Sequence, residues 1–164
     1  MNEFEMEIVG VDELVSGLSR LGEGLSRPAP ALNRMANYYA DRTKERMTRG
    51  GDPRYPDILP ASRKKRKVSK TTPALWDSGG LIESATATRP GVADSLYSMT
   101  PDGFTEGTAR PGAMRHQKGF KKRDAKGRRY NEPARPFLVI TKSDEGAMAQ
   151  ISAAYVDDLT KALR

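Results

Sequence analysis

Hydrophobic and polar positions alternate at the start of the chain. In "EFEMEIVG", Phe4, Met6 and Ile8 fall on one side of an extended backbone and Glu3, Glu5 and Glu7 on the other. A period of two is the pattern of a half-buried strand. The period then lengthens. Asp12 stands where a helix cap belongs, Leu14, Leu18 and Leu21 share one helical face, and Gly22 and Gly24 are expected to end that helix. After "RPAP" a second helix is predicted from about Pro30 to Arg49. Leu32, Met35, Ala36, Tyr39, Thr43 and Met47 recur along it at helical spacing, and the glycines that follow stop it.

Further on the pattern breaks into shorter pieces. Residues 50–62, "GGDPRYPDILPAS", are rich in Pro and Gly and read as a loop, with a short basic helix expected after Pro60. "LIESATATR", "ADSLYSMT" and "GFTEGTA" read as three short strands, the last two joined by a "PDG" hairpin turn. "PFLVIT", β-branched and aromatic, reads as a central strand. Ser143 is positioned to cap a C-terminal helix whose Met148, Ile151, Tyr155, Leu159 and Leu163 form one stripe. Runs of strands separate from runs of helices, which predicts an α+β fold. The expected architecture is a small, mainly antiparallel sheet packed by the long helix of the N-terminal half and by the C-terminal helix, with long basic loops. A length of 164 residues fits a single domain, with 50–75 and 109–134 as extended loops or arms.

Composition changes this picture in one respect. Hydrophobic residues make up 37% and charged residues 30%, a balance that suits a soluble chain with exposed extensions. There is no cysteine, which excludes disulfides and thiolate metal sites. The acidic start is unlike a secretory signal and no apolar run approaches a membrane span, so a soluble protein made inside the cell, with no membrane partner, is expected. The net charge of +7 is unevenly spread. Residues 110–135 hold ten Lys and Arg against Asp124 and Glu132, a net of +8, and residues 63–70 add six positives, so the remainder is net −7. An acidic body carries two basic limbs.

The cations that matter are therefore Arg63, Lys64, Lys65, Arg66 and Lys67 in one limb, and Arg115, Lys118, Lys121, Lys122, Arg123, Lys126, Arg128 and Arg129 in the other. Such residues neutralise phosphates and release counterions, or meet acidic protein surfaces, including another copy's acidic body. Only Phe120 and Tyr130 interleave as stacking residues, and neither a helix-turn-helix nor an RNA-binding motif is visible. A free, sequence-nonspecific DNA-binding protein is the alternative function.

Catalytic signals are weak. "WDSGG" contains the Asp-Ser-Gly of aspartic proteases, but that chemistry needs two carboxylates sharing a proton, and no second copy of the motif occurs. A tight turn at Asp77 and its glycines, anchored by Trp76 and Leu81, accounts for it. His116 is the only histidine and has no companion ligands at metal spacing. "GTARPG" lacks the lysine and spacing of a phosphate loop, and "KKRKV", similar to a nuclear import signal, reads as a solvated basic segment. The expectation is a protein without enzymatic activity, cofactor or metal.

The order of "LPASRKKRK", "LWDSGGLIESATA", "GFTEGTA", "HQKG" and "PARPFLVIT" before a C-terminal helix resembles the virion morphogenesis, or tail-completion, family of tailed phages of the Mu and P2 type. The resemblance covers roughly residues 30–160. It rests on the basic run Arg63–Lys67, the turn Trp76, Asp77, Ser78, Gly79 and Leu81, the strand end Gly107–Thr108, His116, Gln117 and Gly119, and above all the block Pro133, Ala134, Arg135, Pro136, Phe137 and Leu138. Lys118 departs from the family, which usually has an aromatic residue there.

The resemblance implies a non-enzymatic virion component at the head–tail neck or the head-proximal end of the tail. It would be assembled in the bacterial cytoplasm as a homo-oligomeric ring of six copies. The ring would touch adjoining neck, connector or tail-tube proteins. The basic limbs are expected to meet acidic surfaces on the same or an adjoining ring, with the genome's phosphates as the second alternative. Pro133 and Pro136 bracket Ala134 and Arg135, which predicts an extended exit that delivers Phe137 into its strand at a fixed place.

Overall fold

A computed structural model describes residues 11–57, 75, 79–123, 127 and 129–161. Along the chain the elements are α1 (Val11–Ser26), α2 (Ala29–Arg49), α3 (Gly80–Ala85), β1 (Ser98–Thr100), β2 (Gly103–Thr105), α4 (Ala113–Lys118), β3 (Phe120–Arg123), β4 (Arg129–Glu132) and α5 (Lys142–Lys161). The class is α+β, and among the described residues all strand pairing is antiparallel, in two separate two-stranded ribbons, β1–β2 and β3–β4. The predicted N-terminal strand, the predicted helix after Pro60 and Leu163 lie outside the described residues.

α2 matches its predicted span. Proline stands in its first turn, where a missing N–H costs nothing, and Gly50 closes it in the left-handed region. Its buried face is Ala31, Ala36, Tyr39, Ala40, Thr43, Arg46 and Met47. α1 runs past Gly22 and Gly24 to Ser26, where its end was expected sooner. Tertiary packing outweighs the poor helix propensity of glycine, about 1 kcal/mol per residue. A Cβ on Gly24 would lie 2.5 Å from the Leu159 side chain of α5. The Tyr155 hydroxyl of α5 lies 2.9 Å from the Gly24 carbonyl and 3.1 Å from that of Arg27, so its donation is shared by two carbonyls at the helix end. α5 thus packs on both α1 and α2.

Three further expectations are corrected. "LIESATATR" is no strand: Gly80–Ala85 forms α3, burying Ile82 and Ala85 one helical turn apart. The β-branched run after Pro136 is no strand either, for reasons that belong to the site below. The cap of α5 is Thr141 rather than Ser143: the Thr141 N–H and hydroxyl donate to the Asp144 carboxylate (2.9 and 2.7 Å), and the Asp144 N–H donates back to the Thr141 hydroxyl oxygen (3.2 Å). The "PDG" hairpin is as predicted, with Met99 opposite Phe104, and a bridge from Ser95 to Thr108 extends its pairing.

The core collects Met47 of α2, Tyr55 and Leu75 of the connecting segment, Ile82 and Ala85 of α3, Ala113 of α4, and Phe137. Leu81 and Leu138 pack against it. No helix among the described residues is long and apolar enough to cross a membrane.

Candidate functional site

The segment Pro133–Phe137 is held by side chains from four directions. Arg135 is 2% exposed, and its guanidinium donates to the carbonyls of Pro56 (3.0 Å) and Asp57 (3.2 Å) and to Glu132 (3.2 Å). Its own N–H donates to the His116 carbonyl. The Tyr55 hydroxyl donates to the Pro136 carbonyl at 2.8 Å, and burial, partly offset by the charge of Arg46, pushes that phenol up to about 12. Arg46 donates to the Phe137 carbonyl (3.0 Å) and to Asp144 (3.2 Å).

Asp144 is fully buried and is the hub of the frame. Burial alone would raise its pKa. The N–H and hydroxyl of Thr141, the Tyr38 hydroxyl and the Arg42 guanidinium outweigh that and hold the carboxyl below its ordinary value. Arg42 also pairs with Glu45.

Gln117 explains why "PFLVIT" needs no strand partner. Its side-chain oxygen accepts the N–H groups of Phe137 (3.0 Å) and Leu138 (3.2 Å), and its amide nitrogen donates to the Leu138 carbonyl (2.8 Å). One carboxamide replaces a neighbouring strand, while Arg46 and Tyr55 satisfy the carbonyls on either side. Phe137, 1% exposed, is fixed as expected, but in a clamped coil rather than in a strand.

The frame aims the β3–β4 ribbon. Gly119, between α4 and β3, has φ +69°, and a Cβ there would lie 2.7 Å from the Ala134 nitrogen and 2.8 Å from the Glu132 carbonyl oxygen. Backbone rests on backbone, so only glycine fits. In the ribbon, Phe120 faces Glu132, Lys121 faces Asn131, Lys122 faces Tyr130 and Arg123 faces Arg129. Side chains alternate between faces. Phe120 and Glu132 share the face tied to the body, Phe120 beneath the Arg115 guanidinium at 5.3 Å and Glu132 against Arg135. Lys121, Asn131, Arg123 and Arg129 share the other face, and all four are exposed. Among the described residues, no helix packs extensively along the ribbon.

Of the predicted cations, Arg115, Lys118, Lys121, Arg123 and Arg129 are exposed and lie together on α4 and the ribbon. The backbone of Lys122 belongs to β3. Lys126, Arg128, the run Arg63, Lys64, Lys65, Arg66 and Lys67, and the turn residues Trp76 and Asp77 lie outside the described residues. Gly79 takes a turn conformation, with φ +80°, before α3. Within 109–134, expected as an extended loop or arm, the described residues form a short helix followed by a two-stranded ribbon. Sequence reasoning missed Arg46, Tyr55 and Asp144. The available signal was Arg46 itself, a charge lying on the buried stripe of α2.

Glu106, just past β2, stands apart from this frame. Both its carboxylate oxygens are buried without a hydrogen-bond partner among the described residues, and burial pushes it up to about 8.

Fold and site together define a class: a small α+β body carrying one rigidly rooted cationic ribbon. The model of the phage virion morphogenesis family matches residues 9–157, and the chain belongs to that family. It is 31% identical over 157 residues to the Mu-like prophage FluMu G protein 2 of Haemophilus influenzae, which covers 96% of this chain and 99% of that protein. No solved structure matches. The markers read in the sequence identified the right family.

Proposed function

We propose that the chain is a non-enzymatic structural component of a phage virion that completes the tail and joins it to the head. It acts as a ring of six copies at the neck or the head-proximal tail end, between connector and tail-tube proteins. Family membership supplies the virion, and the likeness to a protein of a Mu-like prophage supports a Mu-type setting. The observation that carries the reading further is the way the body spends its buried charges. Arg46, Asp144 and Arg135 fix the exit of a ribbon whose Lys121, Arg123 and Arg129 face outward. A ring subunit needs such an arm, because a head-to-tail ring closes only if each copy presents its contacts at a fixed angle.

Particles produced without this chain are expected to accumulate as unjoined heads and tails in negative-stain images, and purified protein is expected to restore joining. Complete, infectious particles in its absence would overturn the proposal. Replacing Lys121–Asn131 with a short turn between the paired residues Phe120 and Glu132 is expected to leave the body folded and abolish joining.

A further inference from the structure

The ribbon's outer face raises a question of charge. Arg123 and Arg129 stand directly opposite each other on neighbouring strands, with Lys121 beside them. Like charges in that relation destabilise a two-stranded ribbon, and among the described residues nothing negative on the same face offsets them. Such an arrangement is costly in the free chain and becomes favourable against a dense array of negative charge.

The acidic body of another copy is a poor candidate for that array. Several of its carboxylates are engaged already, Asp158 with Arg34, Asp157 with Lys161, Glu45 with Arg42 and Arg49, Asp94 with Arg110, and Asp144 with Arg46, and the rest are spread along the chain. A second copy's ribbon would have to compete with cations built into the same chain. Duplex DNA has no such internal partners and carries one charge per about 1.7 Å of axis. A two-stranded ribbon is also one of the shapes that its major groove admits.

We infer that the outer face of the β3–β4 ribbon, formed by Lys121, Arg123, Arg129 and Asn131, binds the phosphate backbone of double-stranded DNA without reading sequence. Lys121, Arg123 and Arg129 neutralise phosphates, and the Asn131 amide donates to a phosphate or sugar oxygen. The frame around Arg135 and Gly119 presents this face without further ordering cost. Each copy binds weakly and a ring multiplies the contacts. Resting on the neck reading, this makes the ribbon a contact with the genome as it passes.

The test is fluorescence anisotropy of a short labelled duplex titrated with the full chain. Three phosphate contacts predict a log–log salt slope of at least about −2.7, a loss of about 40-fold between about 50 and 200 mM salt. Arg123→Gln/Arg129→Gln is expected to bring the slope to about −1 and weaken low-salt binding at least about tenfold. Lys44→Gln/Lys142→Gln, removing the same charge from exposed positions on α2 and α5, leaves the slope unchanged. Unchanged circular dichroism in both variants confirms that folding is not the cause.

An unaltered slope in the ribbon variant overturns the inference. So does competition by polyglutamate as effective as competition by DNA, which would make an acidic protein the partner. Wild-type protein that joins heads to tails yet binds no duplex at low salt overturns the DNA contact and leaves the neck role standing. Duplex binding by a protein whose absence leaves particles complete does the reverse.

Discussion

Arg135 and Arg129 lie six residues apart in one basic stretch, and they do opposite things. Arg135 is 2% exposed, with its guanidinium spread over two carbonyls and a carboxylate. Arg129 is exposed and faces another arginine. The difference is not visible in composition, where both count as one positive charge. It lies in what the backbone supplies. The segment at Pro56–Asp57 offers carbonyls that need donors, and an arginine satisfies them in the fixed geometry of its fork. The ribbon offers only its own ladder, already paired. Charge turned inward holds a shape; charge turned outward is available for binding.

The sharpest way to break the inward half is Asp144→Ala. It leaves Arg46, whose side chain is 4% exposed, buried without its carboxylate, and removes the acceptor of the Thr141 cap. Stripping one partner from a buried pair costs about 3–5 kcal/mol, far more than the pair contributes by existing. Urea denaturation is expected to show that loss, and a cost under about 1 kcal/mol would mean that the frame is not what holds Phe137. The sign of the pH dependence follows from the depressed pKa. The carboxylate's stability is present above its ordinary value of 3.8 and disappears as pH falls through the lower folded value. The alanine variant should lack that acid limb.

How much of this contrast could be read beforehand depended on the range over which each signal acts. α2 was legible because twenty-odd residues repeat one helical period between a proline start and a glycine stop. The β1–β2 turn was legible from three residues. The family was legible because its markers are local words such as "PARPF". The frame was not, because Arg46 and Asp144 are 98 residues apart and Gln117 acts on a backbone 20 residues away. "PFLVIT" has the composition of a strand, and no sequence period announces that a side-chain carboxamide will take the place of its partner. The ribbon was hidden for a different reason. With cations at Lys121, Lys122, Arg123 and Arg129 it shows no apolar alternation, so its strands looked like a loop or arm.

A middle-sized effect lies outside both halves, at Glu106. Its folded pKa, pushed up to about 8 from 4.5 by burial, means that the folded state holds a proton which the unfolded chain releases. Stability from this group is therefore fully present below pH 4.5, declines as pH rises, and is gone above about 8. Glu106→Gln keeps the shape without the charge. Thermal melts are expected to match near pH 4 and to favour the variant at pH 9 by on the order of 2 kcal/mol once partial exposure is allowed for. A wild-type profile that rises between pH 5 and 8 relative to the variant would place the carboxylate in a favourable ion pair instead. Because β2 packs on α2, where Glu106 acts on Tyr39, the substitution is expected to leave DNA binding unaffected, which separates body stability from arm function.

The smallest effect tests the outward half. Arg129→Thr removes one of two like charges that face each other across the ribbon and puts a β-branched residue in a strand. Exposed substitutions of this kind stay within about 0.5 kcal/mol, and here the direction should be favourable by a few tenths. Global denaturation will scarcely register it, because the ribbon's own opening does not require the body to unfold. Hydrogen exchange of the β3 and β4 amides is the suitable probe. Their protection should rise slightly at low salt, and the gain should fade as salt screens the repulsion that the native pair suffers. Faster exchange in the variant would mean that Arg129 is held by its own chain after all, and that the ribbon's charge, like that of Arg135, serves the fold.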